Sequence, residues 1–484
     1  MTRHFAGSVV SSVSRVTTNV NNRFACFAVA PLFLLVCATE LYAAPSVTAN
    51  VEQAFVENET LSAGTGAFNT GYDQDSSAGE NPTNVDFDLN QSFPQPGAIW
   101  KTSLPEGWFD WKRDLYKDRG IKLGFSYQSL YQTTSDAVLD EDTFWGGWAL
   151  VEFKWDAINR GQDFEGGLVA ALDWRHTIGD NGEPAFSLTA SGSAWANDVP
   201  HISWDPWLAA LYWEQKLRKE DNFVFRVGTQ NAGAFIDFSR YKDPRVSFTG
   251  GPNTAGVDTL PLPAPGFGVS FRWNSDDPSE YYVAGTINDV NGDPQDAGLA
   301  NWDTVDEGDF FYALELGKNW RRGVGDFDHL HVLFSYADDR SIPLLPVPDL
   351  PQEGGFGFKI SGEKQWGTLV AFGSYGYNEA KGGPIAWTLM KQVVRGGLAF
   401  NRPLNINGEV GLGATWGQPL KGVPLIAAPQ NDPLKDQYGL EMYWRMLVTN
   451  DLWVTPGIQI IWNPAYNSNT DAVVLPGLKF RFFL

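Results

Sequence analysis

The stretch VLPGLKFRFFL that ends the chain alternates without a break: Leu478, Phe480, Phe482 and Leu484 are apolar, and Lys479 and Arg481 stand between them. Side chains of a strand point to opposite faces with a period of two, so this stretch predicts a strand with one oily face and one charged face. An apolar strand left at a sheet edge would offer unpaired backbone groups to other chains. It is therefore expected to pair with the first strand, because closing the sheet removes the edge.

The same period recurs from Ile121 onward. GWALVEFKW sets Ala149, Val151, Phe153 and Trp155 against Glu152 and Lys154, and GGLVAALDWRH sets Leu168, Ala170, Leu172 and Trp174 against Asp173 and Arg175. NFVFRVG, GVSFRWN and YGLEMYWRMLV repeat the pattern, with Arg226, Arg272, and the set Glu441, Tyr443 and Arg445 on their polar sides. Soluble sandwiches and membrane barrels both use strands of this kind. Three features favour a barrel in which lipid meets the apolar side and water the polar one. Tryptophans sit toward the strand ends, at Trp145, Trp148, Trp155, Trp204, Trp207 and Trp213, as rings do at a membrane boundary. The polar sides carry charges of both signs. Connections are either tight, as in RKEDN, or long and acidic, as in NDVNGDPQDAGLANWDTVDEGD.

Composition agrees with many short strands joined by turns. Aromatics reach 14%, with 20 Trp, 50 Gly and 29 Pro, too aromatic for disorder and too rich in Gly and Pro for long helices. The formal net charge of -22 argues against a nucleic-acid partner, since phosphates would be repelled.

Ahead of the barrel the reading has three parts. Residues 1–43 are expected to be a signal peptide: Arg3, Arg15 and Arg23 precede the short apolar run FACFAVAPLFLLVCA, and small residues suit cleavage after Ala43 or Ala44. Cys37 would serve a lipoprotein cleavage box less well, because Val36 before it is the wrong size. Cleavage would remove both cysteines, leaving a secreted chain held by a large core or a closed sheet rather than by disulfides. Residues 44–102, rich in Asn, Ser, Thr, Gly and acids, read as a flexible periplasmic extension. In 103–120, Trp108, Trp111, Leu115 and Tyr116 recur at helical spacing and Gly120 is placed to end a short amphipathic helix. The barrel is assigned to 121–484, and no later run of apolar residues approaches the length of a membrane helix.

Several motifs resemble those of the carbohydrate-selective porins (OprB-like) of Gram-negative outer membranes. GLEMYWRMLVTNDLWVTPGIQIIWNPAYNSNTDAVVLPGLKFRFFL carries the family's ending at Glu441, Tyr443, Trp444, Arg445, Leu447, Thr449, Leu452, Pro456, Gln459, Asn463, Pro464, Gly477 and Leu478. FRVGTQNAGAFIDFS, NDVNGDPQDAG with FFYALELG, and WFDWKRDLYKDRGI match further motifs in order. The last of these lacks the family's Gly-Gly after the Trp. The terminal strand also resembles the signal read by the outer-membrane assembly machinery, with Leu484 where a Phe is usual. The resemblance implies an all-β transmembrane antiparallel barrel of about sixteen strands, an inward-folded loop, and passive diffusion of mono- or oligosaccharides. Its implied partners are carbohydrates, outer-membrane lipids, lipopolysaccharide and the assembly machinery, and association of barrels is left open.

The lumen residues expected to meet solute are Glu152, Lys154, Asp173, Arg175, Tyr212, Glu214, Arg226, Arg272, Glu315, Glu441 and Arg445. Acid acceptors, Arg donors and an aromatic platform can weakly replace the hydration of a neutral sugar, and weak binding speeds entry without trapping. A porin for aromatic or cationic solutes, or a β-rich surface protein with no channel, are the alternatives. No enzyme is expected, because His176, His201, His329 and His331 adjoin no nucleophile motif such as G-x-S-x-G. No cofactor or metal is expected. His329 and His331 share a strand face but have no third ligand in sequence view and read as a solvated pair. In DVNGDP, Pro294 and Ala300 occupy positions where a calcium loop needs Gly and Glu.

Overall fold

The computed structural model describes residues 84–484 apart from 103–104, 139–141, 180–190, 195–204, 218–221, 255–258, 276–280, 293–301, 324–325, 341–352, 380–389, 421–434 and 468. The expected signal peptide, residues 44–83 and Trp204 lie outside the described residues. Among the described residues two helices precede the strands, α1 (Val85–Gln91) and α2 (Glu106–Arg119). Sixteen strands follow: β1 (Ile121–Thr133), β2 (Thr143–Ile158), β3 (Gly166–Thr177), β4 (Trp207–Lys216), β5 (Phe223–Gln230), β6 (Gly266–Asn274), β7 (Tyr281–Asp289), β8 (Phe310–Gly323), β9 (Asp326–Ala337), β10 (Gly355–Trp366), β11 (Leu369–Asn378), β12 (Met390–Asn401), β13 (Gly408–Pro419), β14 (Gln437–Thr449), β15 (Leu452–Trp462) and β16 (Ala472–Phe483).

Each strand is antiparallel to the next, and β16 returns to β1, so the sheet is a closed barrel. Closure runs from Ser126 opposite Phe483 to Gln132 opposite Gly477. It is completed by Phe125 and Leu484, whose N–H groups donate to each other's carbonyls at 2.9 and 2.8 Å. The oily terminal strand is thus a wall with no free edge. Connections at one end span two residues (324–325, 367–368, 450–451) to seven (159–165), and at the other nine (134–142, 463–471) to thirty-five (231–265). Both described termini lie at the short-turn end.

Side-chain facing follows the period-two reading. Leu172, Met442 and Phe480 point outward, exposed by 49%, 49% and 39%, while their neighbours Asp173, Glu441, Tyr443, Lys479 and Arg481 are buried inside. Two tryptophans expected at the membrane boundary turn inward instead. Trp148 shares the parity of Glu152 and Lys154 on β2, and a register shift between Ala171 and Leu172 skips Ala209, bringing Trp207 into phase with the inward Ala210. Trp145 and Trp155 face outward as expected.

Helix α2 ends at Gly120, in the left-handed region at φ 73°, where its N–H caps the Tyr116 carbonyl. Its buried face differs from the expected one. Trp108 and Trp111 are exposed, and Phe109 and Lys112 are buried. The reason lies beneath the helix: Phe93 packs at 5.9 Å from Phe109, and Lys112 Nζ donates to the Ser92 carbonyl (2.7 Å) and hydroxyl (2.8 Å) above the Phe93 ring. A long aliphatic stem with a polar tip fits that floor better than an indole. Burial, with the Arg113 charge adding, pushes the Lys112 ammonium down to about 7.

Residues 84–102, expected to be part of the flexible extension, are held in place. Leu89 and Phe93 are fully buried and form a core with Val85, Phe109, Val169, Ala171, Ala210 and Tyr212 on the inner wall of the barrel. The acids that made this segment read as solvated find cations inside: Asp86 pairs with Lys154, and Asp88 with Arg245 and Arg481.

Candidate channel constriction

The longest connection, 231–265, turns inward. Asn231 opens it by accepting a hydrogen bond from the Gly233 N–H, and Ile236, Leu260 and Leu262 pack on inward residues of β7 to β9, including Tyr282, Phe311 and Leu333. Farther along, Tyr241 and Phe248 bury against Val370, Phe372, Ala399 and Tyr443 on β11, β12 and β14. Glycines on the inner wall let it approach closely. A Cβ at Gly376 would lie 2.1 Å from Thr259 Oγ1, and one at Gly413 2.6 Å from Asn253 Oδ1.

Polar contacts tie the segment to the wall from β8 to β16. Asp237 adopts φ 55°, a conformation that costs most side chains energy, and is held there by three neighbours. Its N–H donates to Glu315, and its carboxylate pairs with Lys359 at 2.9 Å and approaches His331 Nε2 at 3.3 Å. Burial alone would raise the Asp237 carboxyl, but Lys359 and Lys242, with His331, outweigh it and hold it well below the usual range. Ser239 and the Arg240 N–H donate to Glu363 at 2.6 and 3.0 Å. Arg445 donates to the Val246 carbonyl at 3.1 Å, and Lys479 to the carbonyls of Pro244, Ser247 and Phe248. The Gly250 N–H donates to Glu441 at 3.0 Å.

The opposite wall, β1 to β5, receives helix α1 at its short-turn end. Lys154 bridges Asp86 (2.8 Å) and Glu214 (3.0 Å), and Glu214 accepts from Arg226 Nε at 2.6 Å. Arg245 connects the two fillings, pairing with Asp88 at 2.7 Å and Asp243 at 2.8 Å. Burial would raise the Asp88 carboxyl, yet Arg245 and Arg481 outweigh it and hold it below its ordinary value.

All eleven expected lumen residues sit on inward faces, but the structure divides them. Glu315, Glu441 and Arg445 hold the inward segment; Lys154, Tyr212, Glu214 and Arg226 surround α1, with the Arg226 guanidinium 5.0 Å over the Tyr212 ring. Glu152 is buried on the same wall. Asp173 and Arg175 pair with each other at 2.7 Å. Arg272, near the short-turn end of β6, donates to Asn274 at 3.1 Å and stacks over Tyr282 at 4.2 Å. His329 and His331 are not a solvated pair: their rings stack at 5.4 Å beneath the inward segment, with Phe238 edge-on to His329 at 4.8 Å. The sequence reading missed Asp86 and Asp88 because no period marks them. It also missed Asp237, Arg240, Lys242, Asp243 and Arg245, although mixed charge in DFSRYKDPRV sets this connection apart from the acidic ones.

Residues 357–483, essentially β10 to β16, match the family model described as carbohydrate-selective porin, OprB family. Among solved structures, Pseudomonas putida OprB at high pH is similar with a TM-score of 0.58 and 15% identity over 78% of this chain and 97% of that one. The same protein at low pH gives 0.46 and 11% identity over 79% and 99%. OmpT, an outer membrane protein of Vibrio cholerae, gives 0.42 and 11% identity over 75% and 98%. No curated protein matches the sequence. The chain is therefore a closed sixteen-stranded barrel, similar through its last seven strands to the OprB family of carbohydrate-selective porins.

Proposed function

We propose that the protein is a Gram-negative outer-membrane channel through which neutral sugars diffuse passively. Beyond the family match, one observation carries the sugar reading: many of the charges inside the barrel are paired with one another. Lys154 and Arg226 share Glu214, Arg245 and Arg481 share Asp88, and Arg175 holds Asp173. An ionic solute must compete with pairs already formed, whereas a neutral hydroxylated solute needs only separate hydrogen bonds. Among the described residues of the inward segment, Asp237, Arg240, Lys242, Asp243 and Arg245 each stand beside an opposite charge. In this reading residues 1–43 direct export, the outward apolar belt meets outer-membrane lipid and lipopolysaccharide, and β16 is read by the assembly machinery. The expected lumen residues on β1 to β5 border the solute path, and those on β8 to β16 act mainly by fixing the constriction.

Liposome swelling with the purified barrel tests this. Glucose is expected to enter faster than amino acids or succinate. Equal rates would make the channel general, faster entry of cationic or aromatic solutes would reverse the selectivity, and no swelling would remove the channel.

A further inference from the structure

Residues 84–102 run across the short-turn end of the barrel, from the wall of β1 to β4 to the rim at β13 to β15, and are fastened at both places. On the wall, Asp86 pairs with Lys154 at 2.8 Å, Asp88 pairs with Arg481 at 2.5 Å, and Leu89 packs with Val169, Ala171, Ala210 and Tyr212. On the rim, the Gln95 N–H donates to the Asn450 carbonyl at 2.7 Å and Asn407 Nδ2 to the Pro96 carbonyl at 2.8 Å. The Ile99 and Trp100 N–H groups donate to the carbonyls of Leu447 and Val448 at 3.1 and 2.9 Å. The wall is shaped to receive α1: a Cβ at Gly124 would lie 3.1 Å from Leu89 Cδ2 and 3.4 Å from Ser92 Cβ.

Water does not reach the wall behind this segment. Glu152, Lys154, Glu214 and Arg226 point inward from β2, β4 and β5, yet they are only 3% to 6% exposed. Inward charges of a water-filled barrel border its lumen, so their burial marks a stretch where α1 and the inward segment have taken the place of water.

The two fillings are held differently. The inward segment is joined to the sheet at both ends, by β5 and β6, whereas residues 84–102 reach it covalently only through α2 into β1, with no strand before them among the described residues. Apolar anchorage of the segment rests on Val85, Leu89 and Phe93, and the other ties of α1 to the wall are ionic. A buried ion pair recovers in hydration much of what it loses on parting. Lys154 and Arg245 would also keep Glu214 and Asp243. Such a seat is specific without being permanent.

We propose that residues 84–102 are an autoinhibitory plug: seated as here they shut the short-turn mouth, and withdrawal of α1 from the β1 to β4 wall opens it. The inward segment stays in place, so the constriction is the same in both states.

Single-channel current in potassium chloride tests the plug without any sugar, so failure of the sugar reading would leave the test intact. The only two cysteines, Cys26 and Cys37, lie ahead of the plug in the stretch expected to be cleaved, so the exported barrel can take a new pair. Ser92→Cys with Gly124→Cys sets two Cβ atoms 3.4 Å apart, close to the separation that a disulfide spans. Oxidation of this double variant is expected to reduce the current to background and dithiothreitol to restore it, while wild type responds to neither. Asp86→Asn removes one ionic tie and leaves Lys154 with Glu214, so the barrel should assemble. Its open fraction should rise about tenfold, as befits the loss of a hydrogen bond between charged groups. Equal currents from the oxidised and reduced double variant, with the cross-link verified by thiol titration, would overturn the plug. An Asp86→Asn barrel that opens no more than wild type would do the same, and it decides the matter where the cross-link does not form.

Discussion

On the outer face of β16, Leu478, Phe480 and Phe482 present apolar surface to whatever surrounds the barrel. On the inner face of the same strand, Lys479 donates to three carbonyls of the inward segment, and Arg481 pairs with Asp88 at 2.5 Å and lies 3.6 Å from Asp243. One face answers to its solvent and the other to named partners. An outer residue should therefore be replaceable by any apolar one and intolerant of charge. An inner residue should tolerate charge and be intolerant of losing a specific counterpart.

The largest effect expected from that contrast is on the outer face. Phe480→Arg puts a cation where lipid is expected, at about 2 to 4 kcal/mol near the midplane, and should abolish assembly into the outer membrane, while Phe480→Leu should assemble normally. Membrane yield and heat-modifiable gel migration read the result. Normal yield of the Arg variant would break the assignment of faces.

Next is the inner partner shared by two guanidiniums. Asp88→Ala leaves two buried guanidiniums, Arg245 at 2.8 Å and Arg481 at 3.6 Å, to the single carboxylate of Asp243, a loss of up to about 3 to 5 kcal/mol for removing one member of such a group. The sheet itself is untouched, so the barrel should still close. Its heat-unfolding temperature should fall and its open-channel current should become noisier, because α1 and the inward segment lose their common tie. An unchanged melting temperature would mean that the pairing contributes nothing.

A smaller effect concerns α2, which belongs to neither face. Burial holds Lys112 down to about 7, whereas an unfolded lysine keeps its proton up to 10.5. Between these values the unfolded chain binds more protons, so this contribution to stability grows as pH rises through that window and is lowest below 7. Thermal unfolding on either side of the window should show the trend in wild type and its loss in Lys112→Met. The smallest change is Arg226→Ala. Glu214 keeps Lys154 as a partner at 3.0 Å, so assembly should be normal and only solute flux should shift.

Much of this barrel is legible without coordinates. The alternation in YGLEMYWRMLV assigns Glu441, Tyr443 and Arg445 to the interior, and each is buried there. Legibility fails where parity is local but the outcome is not. By residue type Trp148 reads as a boundary ring, while its parity with Glu152 opposes that role. Trp207 could not be read at all, because its phase depends on a bulge against β3. Trp108 and Trp111 form a convincing helical stripe, yet the surface under α2 was shaped by Phe93 and Ser92 from a segment that had looked unstructured.

The sequence by itself determined the strands, their two faces and the pairing of β16 with β1, because side-chain alternation and the cost of an open edge act along short stretches of chain. Only the tertiary structure decided what fills the barrel. The tie between Asp88 and Arg481 joins residues 393 apart in sequence, and that between Arg445 and Val246 joins residues 199 apart. No local period encodes such a meeting: a buried charge takes the counter-charge that closure brings within reach, and closure is a property of the whole sheet.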